Sequence, residues 1–197
     1  MFNPPHLGHL AVARQARAEL GLERVLLMPV HTPPLKPAAE DPGPAHRLAM
    51  CRLLCAGEPS LEASDLEVRR GGPSWTVDTL RGIHESDPQA KLTFIVGADA
   101  ARTLPAWREP AELLGLAELA VAARTGGDRA RVLEAVVTAG GQAAGVRFLG
   151  MAPVGVSSSL VRERARAGEP IEGLVGDAVA TYVSEHGLYH GAEAASG

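Results

Sequence analysis

The sequence predicts an α/β fold: an open parallel sheet with helices on both faces and a helical C-terminal part. Two observations carry this. Short apolar runs bounded by breakers recur near residues 24–30, 91–96, 119–123 and 146–149, as buried parallel strands do. Segments with helical spacing alternate with them, the pattern of strands joined by crossover helices. At 197 residues, 46% hydrophobic and 21% charged, the chain suits one domain with a continuous core. A single domain over 1–197 is expected, with a frayed tail from about residue 190.

The elements follow in order. Leu10, Ala13, Ala16 and Leu20 mark a first helix from Leu7, which Gly21 stops. Residues 24–30 are apolar enough for a buried strand, and the five prolines between His31 and Pro44 require an irregular loop. Residues 45–56 carry Leu48, Cys51 and Cys55 along one side of a helix that Gly57 ends; 61–68 reads as a second, more polar strand. The breaker-rich 69–76 loop offers Ser74 or Thr76 to cap a helix running to about Glu85. The strand at 91–96 ends at Gly97-Ala98-Asp99, and a short helix and the Leu104-Pro105-Ala106-Trp107 turn follow.

Residues 109–114 are helical and 119–123 form another strand. Val132, Leu133, Val136 and Val137 recur at helical spacing before Gly140-Gly141 and a strand at 146–149. Two helices close the chain, at 157–167 and 177–186, the second with Val179, Tyr182, Val183 and His186 on one face. Cys51 and Cys55 have no zinc-spaced companions and read as buried, reduced thiols.

Net charge is −4, so there is no basic footprint for nucleic acid or an anionic membrane. No apolar run reaches the ~18 residues of a membrane span, and the N-terminus lacks the layout of a signal peptide. The expected location is the cytoplasm, and any phosphate chemistry must be local.

Such chemistry has a place. His6 and His9 flank Gly8 where the first helix begins, and a helix start presents unpaired N–H groups to an anion. In open α/β sheets ligands bind beyond the carboxyl ends of the strands. There lie the Lys36 loop, the Ser74-Trp75-Thr76 loop, Gly97-Ala98-Asp99, and the Ser157-Ser158-Ser159 start of a helix with Arg162 one turn in. Taken singly, each is ordinary: a histidine pair or a serine triplet serves as a cap, Asp99 caps a short helix, Trp107 fills core, and Lys36 is a solvated charge. Converging on one crevice, two helix starts, two imidazoles, an arginine and a lysine would make a triphosphate site.

Phe2-Asn3-Pro4-Pro5-His6-Leu7-Gly8-His9 resembles the H-x-G-H signature of the nucleotidyltransferase superfamily, and 157–162 is similar to its I-S-x-T-x-x-R signature. The stretches 72–80, 97–99 with 104–107, Pro33-Pro34-Leu35-Lys36-Pro37, and the ending Gly187-Leu188-Tyr189 resemble the bacterial nicotinate-nucleotide adenylyltransferases. The resemblance covers the chain in order and implies a Rossmann-like fold. It implies attack of the 5′-phosphate of nicotinate mononucleotide on the α-phosphorus of ATP, giving deamido-NAD and pyrophosphate.

By motif position, His6 and His9 would contact the ATP phosphates, with His9 stabilising charge at the α-phosphoryl group and Gly8 letting the nucleotide approach. Ser157, Ser159 and Arg162 would hold the outgoing pyrophosphate, Gly97 and Asp99 would lie on the nucleotide side, and Lys36 would be a mobile phosphate contact. Trp107 would stack on the pyridine, Thr76 would face its carboxylate, and Ser74, Trp75 and Arg108 would complete the acceptor side. Mg2+ would arrive with ATP, and no protein residue is assigned as a metal ligand.

The chain departs from the family pattern at Ser159, where threonine is usual, at Arg108, where an aromatic is common, and at Val30-His31. Arg108 either pairs with an acidic group of the acceptor or is a solvated loop charge. A family strand ending Gly-Gly-[Ser/Thr]-Phe is also expected before Asn3, where Met1 stands in the place of that Ser or Thr. Losing a central strand costs more than the roughly 5–15 kcal/mol a domain has to spare. The natural product is therefore expected to begin some ten residues upstream, which in-frame translation of the upstream DNA tests. Nicotinamide mononucleotide or phosphopantetheine as acceptor, or a nucleotide-binding relative without catalysis, are the alternative readings.

Overall fold

In this computed structural model, residues 1–34, 40–123, 126–150 and 155–190 are described. Internal contacts divide the chain into two compact units, Met1–Arg14 with Glu23–Pro73 and Val154–Gly197, and Gln15–Leu22 with Ser74–Pro153. Helix α1, Leu7–Leu20, contributes to both. It ends at Gly21, whose φ of 64° is the left-handed conformation that glycine adopts without steric cost.

In the first unit, β1 (Val25–Leu27) pairs in parallel with β2 (Leu61–Ala63), Val25 opposite Leu61 and Leu27 opposite Ala63. β1 is shorter than the apolar run suggests because Pro29, two residues on, has no N–H for a ladder. Between the strands lies α2, Pro44–Cys55, with proline in its first turn and Leu48, Met50, Cys51 and Leu54 buried. Both cysteines are free and buried, and burial pushes their thiols up, Cys51 to about 12 and Cys55 to about 11.

The expected strand over 61–68 is half wrong. It stops at Ala63, and α3, Leu66–Arg70, takes the rest. Turn chemistry overrides the apolar pattern here: Ser64 Oγ accepts the Leu66 N–H at 3.3 Å, and the Asp65 carbonyl accepts from Arg69 N at 2.8 Å. The C-terminal part of the unit is α8 (Ser158–Arg166), a short α9 (Glu172–Val175) that the periodicity does not reveal, and α10 (Asp177–Glu185). Val179 and Val183 are buried on α10, while Tyr182 stacks on His186 with ring centroids 4.0 Å apart.

In the second unit, β3 (Leu92–Gly97), β4 (Ala117–Ala122) and β5 (Val146–Leu149) form a parallel sheet in the order β3-β4-β5. Leu119, Ala120 and Val121 of the central strand are fully buried, as a strand flanked on both sides and covered on both faces must be. The sheet packs with α5 (Ala98–Ala101) and α6 (Pro110–Leu116), with α4 (Thr76–Ser86) against α6 and α7 (Gly126–Thr138) against α5. Val77 and Leu80 of α4, Leu113 of α6, and Val132 and Val136 of α7 join one core cluster. Val137, expected in the same stripe, is 59% exposed; five positions after Val132 a helix has turned well away from that face. At Gly141 a Cβ would stand 2.6 Å from Leu114 Cδ1, so a larger residue there would have to displace that leucine side chain.

The strands thus form two parallel sheets, β1-β2 and β3-β4-β5, where one continuous sheet was expected. No described strand pairs with both β1 and β3, and a sheet continues only where ladder hydrogen bonds run from strand to strand.

Candidate active site

The start of α1 is built by its two histidines. The His6 carbonyl accepts from His9 N at 2.9 Å and from Leu10 N at 3.3 Å, so His6 occupies the cap position. His9 Nδ1 accepts the His6 N–H at 3.2 Å. This is the return bond of a capping box, made by an imidazole where Glu or Gln is usual. Because Nδ1 is the acceptor, the neutral His9 ring carries its proton on Nε2.

The two rings lie face to face, with centroids 3.7 Å apart and planes 31° apart, and Phe2 meets His9 edge-on at 4.8 Å. Burial, and then the chain's positive amino terminus, lower the pKa of His6 to about 4. Burial, followed by the neighbouring His6 and the amino terminus, lowers that of His9 to about 3. Both imidazoles are therefore neutral at pH 7, and an arriving anion would favour protonation. His6 Nδ1 is buried without a hydrogen-bond partner. The first turn of α1 contains no acidic residue, so nothing within the helix opposes an anion at its positive end.

The loop ahead of this pair is held from the far end of the chain. Ser158 Oγ donates to the Pro4 carbonyl at 2.9 Å, and Arg162 Nη1 donates to the Asn3 carbonyl at 2.7 Å. Tyr189 Oη donates to Asn3 Oδ1, also at 2.7 Å. Ser157 caps α8, its Oγ accepting from Leu160 N at 3.2 Å, so its ordinary reading holds structurally. Arg162 also reaches Ser159 Oγ at 3.4 Å and the Glu40 carboxylate at 3.6 Å, while Arg166 pairs with the same carboxylate.

The second unit holds the remaining described candidates. Ser74 is buried at 5% exposure. The α4 cap position is Trp75, without a side-chain cap bond, so neither Ser74 nor Thr76 occupies the cap position expected for it. Arg108 lies over the Trp75 ring, 5.6 Å from its centroid, and pairs with Asp78 at 3.3 Å and Glu109 at 3.6 Å. Arg81 ties the same region together, pairing with Asp78, Glu109 and Glu112.

Trp107 Nε1 donates to Thr103 Oγ1 at 2.9 Å, and its ring meets Phe94 edge-on at 5.9 Å. With its N–H satisfied, Trp107 has ring surface rather than a donor to offer a ligand. Asp99 has a 92% exposed side chain paired with Arg102 at 2.6 Å. At Gly97 a built Cβ meets nothing within 4 Å.

Within the first unit the structure therefore ties Asn3 and Pro4, which lead into His6, Gly8 and His9, to Ser158 and Arg162 of α8, with Ser159 bonded to Arg162 and Ser157 capping the helix. Within the second it gathers Trp75 and Arg108 directly, with Thr76 adjoining at the start of α4, and places Trp107, Gly97 and Asp99 around the end of β3. Lys36 lies outside the described residues. Sequence reasoning missed Asn3, Ser158, Tyr189 and Glu40. The first three stand inside stretches already marked by the resemblance, and their signal was position within those motifs; Glu40 had none. Among the described residues no group of three or more His, Cys, Asp or Glu could hold a metal ion, and no helix is long and apolar enough to cross a membrane.

Comparison with known proteins agrees over nearly the whole chain. A family model described as cytidylyltransferase-like matches residues 1–164. The chain is 37% identical over 190 residues to a probable nicotinate-nucleotide adenylyltransferase of Dehalococcoides mccartyi, covering 96% of this chain and 93% of the relative. It is 41% identical over 189 residues to that of Roseiflexus sp. strain RS-1, covering 95% and 94%. A solved nicotinic acid mononucleotide adenylyltransferase of Plasmodium falciparum, complexed with NaAD, shares the fold with a TM-score of 0.75 at 16% identity, covering 95% and 93%.

Proposed function

We propose that this chain, which belongs to the nicotinate-nucleotide adenylyltransferase family, transfers the adenylyl group of ATP to nicotinate mononucleotide. An oxygen of the mononucleotide's 5′-phosphate forms a bond to the α-phosphorus of ATP while the bridging P–O bond to the β-phosphate breaks. Deamido-NAD and pyrophosphate result. No protein nucleophile is needed, so the protein's part is positioning and electrostatic stabilisation.

In this reading the His6–His9 pair binds the ATP phosphates at the start of α1, His9 donating from Nε2 and Gly8 leaving the helix backbone approachable. Arg162, with the Ser157 and Ser159 hydroxyls and Lys36, takes the charge that gathers on pyrophosphate as it leaves. Gly97 and Asp99 serve the nucleotide side. Trp107 and Trp75 provide ring surface for the pyridine, and Ser74, Thr76 and Arg108 provide its polar contacts. Two neutral imidazoles, hydroxyls and an arginine suit anions rather than a hard cation, so Mg2+ enters on the triphosphate, held by phosphate oxygens and water. The cytoplasm, where ATP and the mononucleotide both occur, is the proposed location.

The observation that carries this reading is the meeting of the His6–His9 loop and α8 at Asn3 and Pro4, through the 2.9 Å Ser158 and 2.7 Å Arg162 bonds. It supports a phosphate site assembled from both signature motifs. Purified chain incubated with ATP and either nicotinate or nicotinamide mononucleotide, with pyrophosphate measured, tests the reading. Release dependent on the nicotinate form is expected. Release with the nicotinamide form alone overturns the acceptor, and none with either overturns catalysis.

A further inference from the structure

Asn3 is 1% exposed and is gripped twice from the C-terminal part of the chain. Arg162 takes its carbonyl at 2.7 Å, and Tyr189 Oη takes its side-chain Oδ1 at 2.7 Å across 186 positions of sequence. Tyr189 is itself buried at 8% exposure and sits at φ 65°, in the left-handed region. A bulky aromatic residue adopts that conformation only where its surroundings hold it there. Gly187, two residues earlier, is also left-handed at φ 57°, and the Leu188 N–H returns to the Val183 carbonyl at 2.9 Å. The chain thus turns sharply off α10, and the turn brings the phenol to Asn3. Burial raises the Tyr189 pKa well above the usual phenol range, so the hydroxyl remains a donor at every pH at which the protein works.

Asn3 begins the segment that leads through Pro4 and Pro5 to His6. The only described side-chain hydrogen bond to the Asn3 amide comes from Tyr189, and the other end of that amide, Nδ2, is buried without a partner. Removing the phenol hydroxyl would leave both ends of the buried amide without a hydrogen-bond partner. The main-chain grip of Arg162 would remain.

We propose that Tyr189 is a positioning residue for the His6–His9 anion site: the C-terminal turn latches the Asn3 side chain and thereby sets the register of the loop that presents the two imidazoles. This rests on the adenylyltransferase reading for its kinetic consequence only. The latch is a property of ATP binding, whichever acceptor follows.

The test uses Tyr189→Phe, which keeps the buried ring and deletes one hydroxyl, with Asn3→Ala and the double variant. Kinetic constants for each substrate are measured beside thermal unfolding. Tyr189→Phe is expected to raise KM for ATP and lower kcat, by about tenfold in kcat/KM for ATP, with KM for the mononucleotide unchanged. Adding Tyr189→Phe to Asn3→Ala is expected to cost little more, because both remove the same bond. A merely structural phenol would lower the melting temperature and leave every kinetic constant of the folded fraction at its wild-type value, which overturns the proposal. Fully additive losses in the double variant overturn it too. Should the unaltered chain make no dinucleotide, the adenylyltransferase reading fails by itself. The latch is then read by calorimetric titration with a non-hydrolysable ATP analogue, where equal affinity of wild type and Tyr189→Phe refutes it. If Tyr189→Phe does not fold, the Asn3→Ala variant carries the same comparison, and wild-type ATP constants in it contradict the latch.

Discussion

His9 does two things with one ring. Its Nδ1 closes the helix start by accepting from His6 N at 3.2 Å, and in the proposed site its Nε2–H would donate to the ATP phosphates. His9→Gln separates them, since glutamine is a natural partner in a capping box. The variant should keep its stability within about 0.5 kcal/mol by urea unfolding and lose about a hundredfold or more in kcat, as removal of a transition-state donor does. A variant that loses stability and keeps kcat would make His9 a cap alone.

The same rings set a pH dependence. Unfolded, each imidazole titrates near 6.5; folded, His6 does so near 4 and His9 near 3. Between these limits the unfolded chain binds protons that the folded chain refuses, so stability falls as pH drops below about 6.5 and is fully present above it. From pH 6 to pH 5 each ring contributes about 1.2 kcal/mol of loss. Over that unit wild type should lose about twice this amount more stability than a His6→Asn, His9→Gln double variant in denaturant melts, and parallel curves would show that the rings are not held neutral. The pair's place at the start of a helix was legible from Gly8 and the spacing. Its tautomer and depressed pKa were not, because both depend on what buries it.

At the scale of elements, the buried end of α2 carries the clearest consequence. Arg47 is 0% exposed; it pairs with Asp41 and donates to the Val30 carbonyl and, at 2.9 Å, to that of His31. One guanidinium thus ties the chain leaving β1 to the chain entering α2. Arg47→Ala should cost about 3–5 kcal/mol by urea unfolding, since it strands a carboxylate and two carbonyls, and Arg47→Lys should restore little, lacking the fork. A loss below about 1 kcal/mol in the alanine variant would mean that water replaces these bonds.

Nothing in the sequence distinguished Arg47 from a surface charge on an amphipathic helix, because two of its three acceptors are backbone carbonyls. Elements with regular periodicity were legible: α1, β3, β5 and α8 stand within a residue or two of expectation. Misses came where local chemistry outweighed pattern, at Pro29 after β1 and at Ser64-Asp65 before α3.

At the scale of the molecule, the order of motifs from residue 2 to residue 189 was enough to read the family, since each motif occupies the position in the chain that the others require. What order could not convey was the manner of assembly. Asn3 and Pro4, just ahead of the signature histidines, are held by donors more than 150 residues away, at Ser158, Arg162 and Tyr189, and such contacts have no local trace.

The most direct test of the central claim follows the transferred phosphorus itself. Folded chain is incubated with nicotinate mononucleotide and ATP labelled at the α-phosphate, and the products are separated. The account predicts label in deamido-NAD with pyrophosphate released in equal amount, and a loss of both in Arg162→Ala. Label that stays in ATP, or that leaves as AMP without entering a dinucleotide, would contradict it.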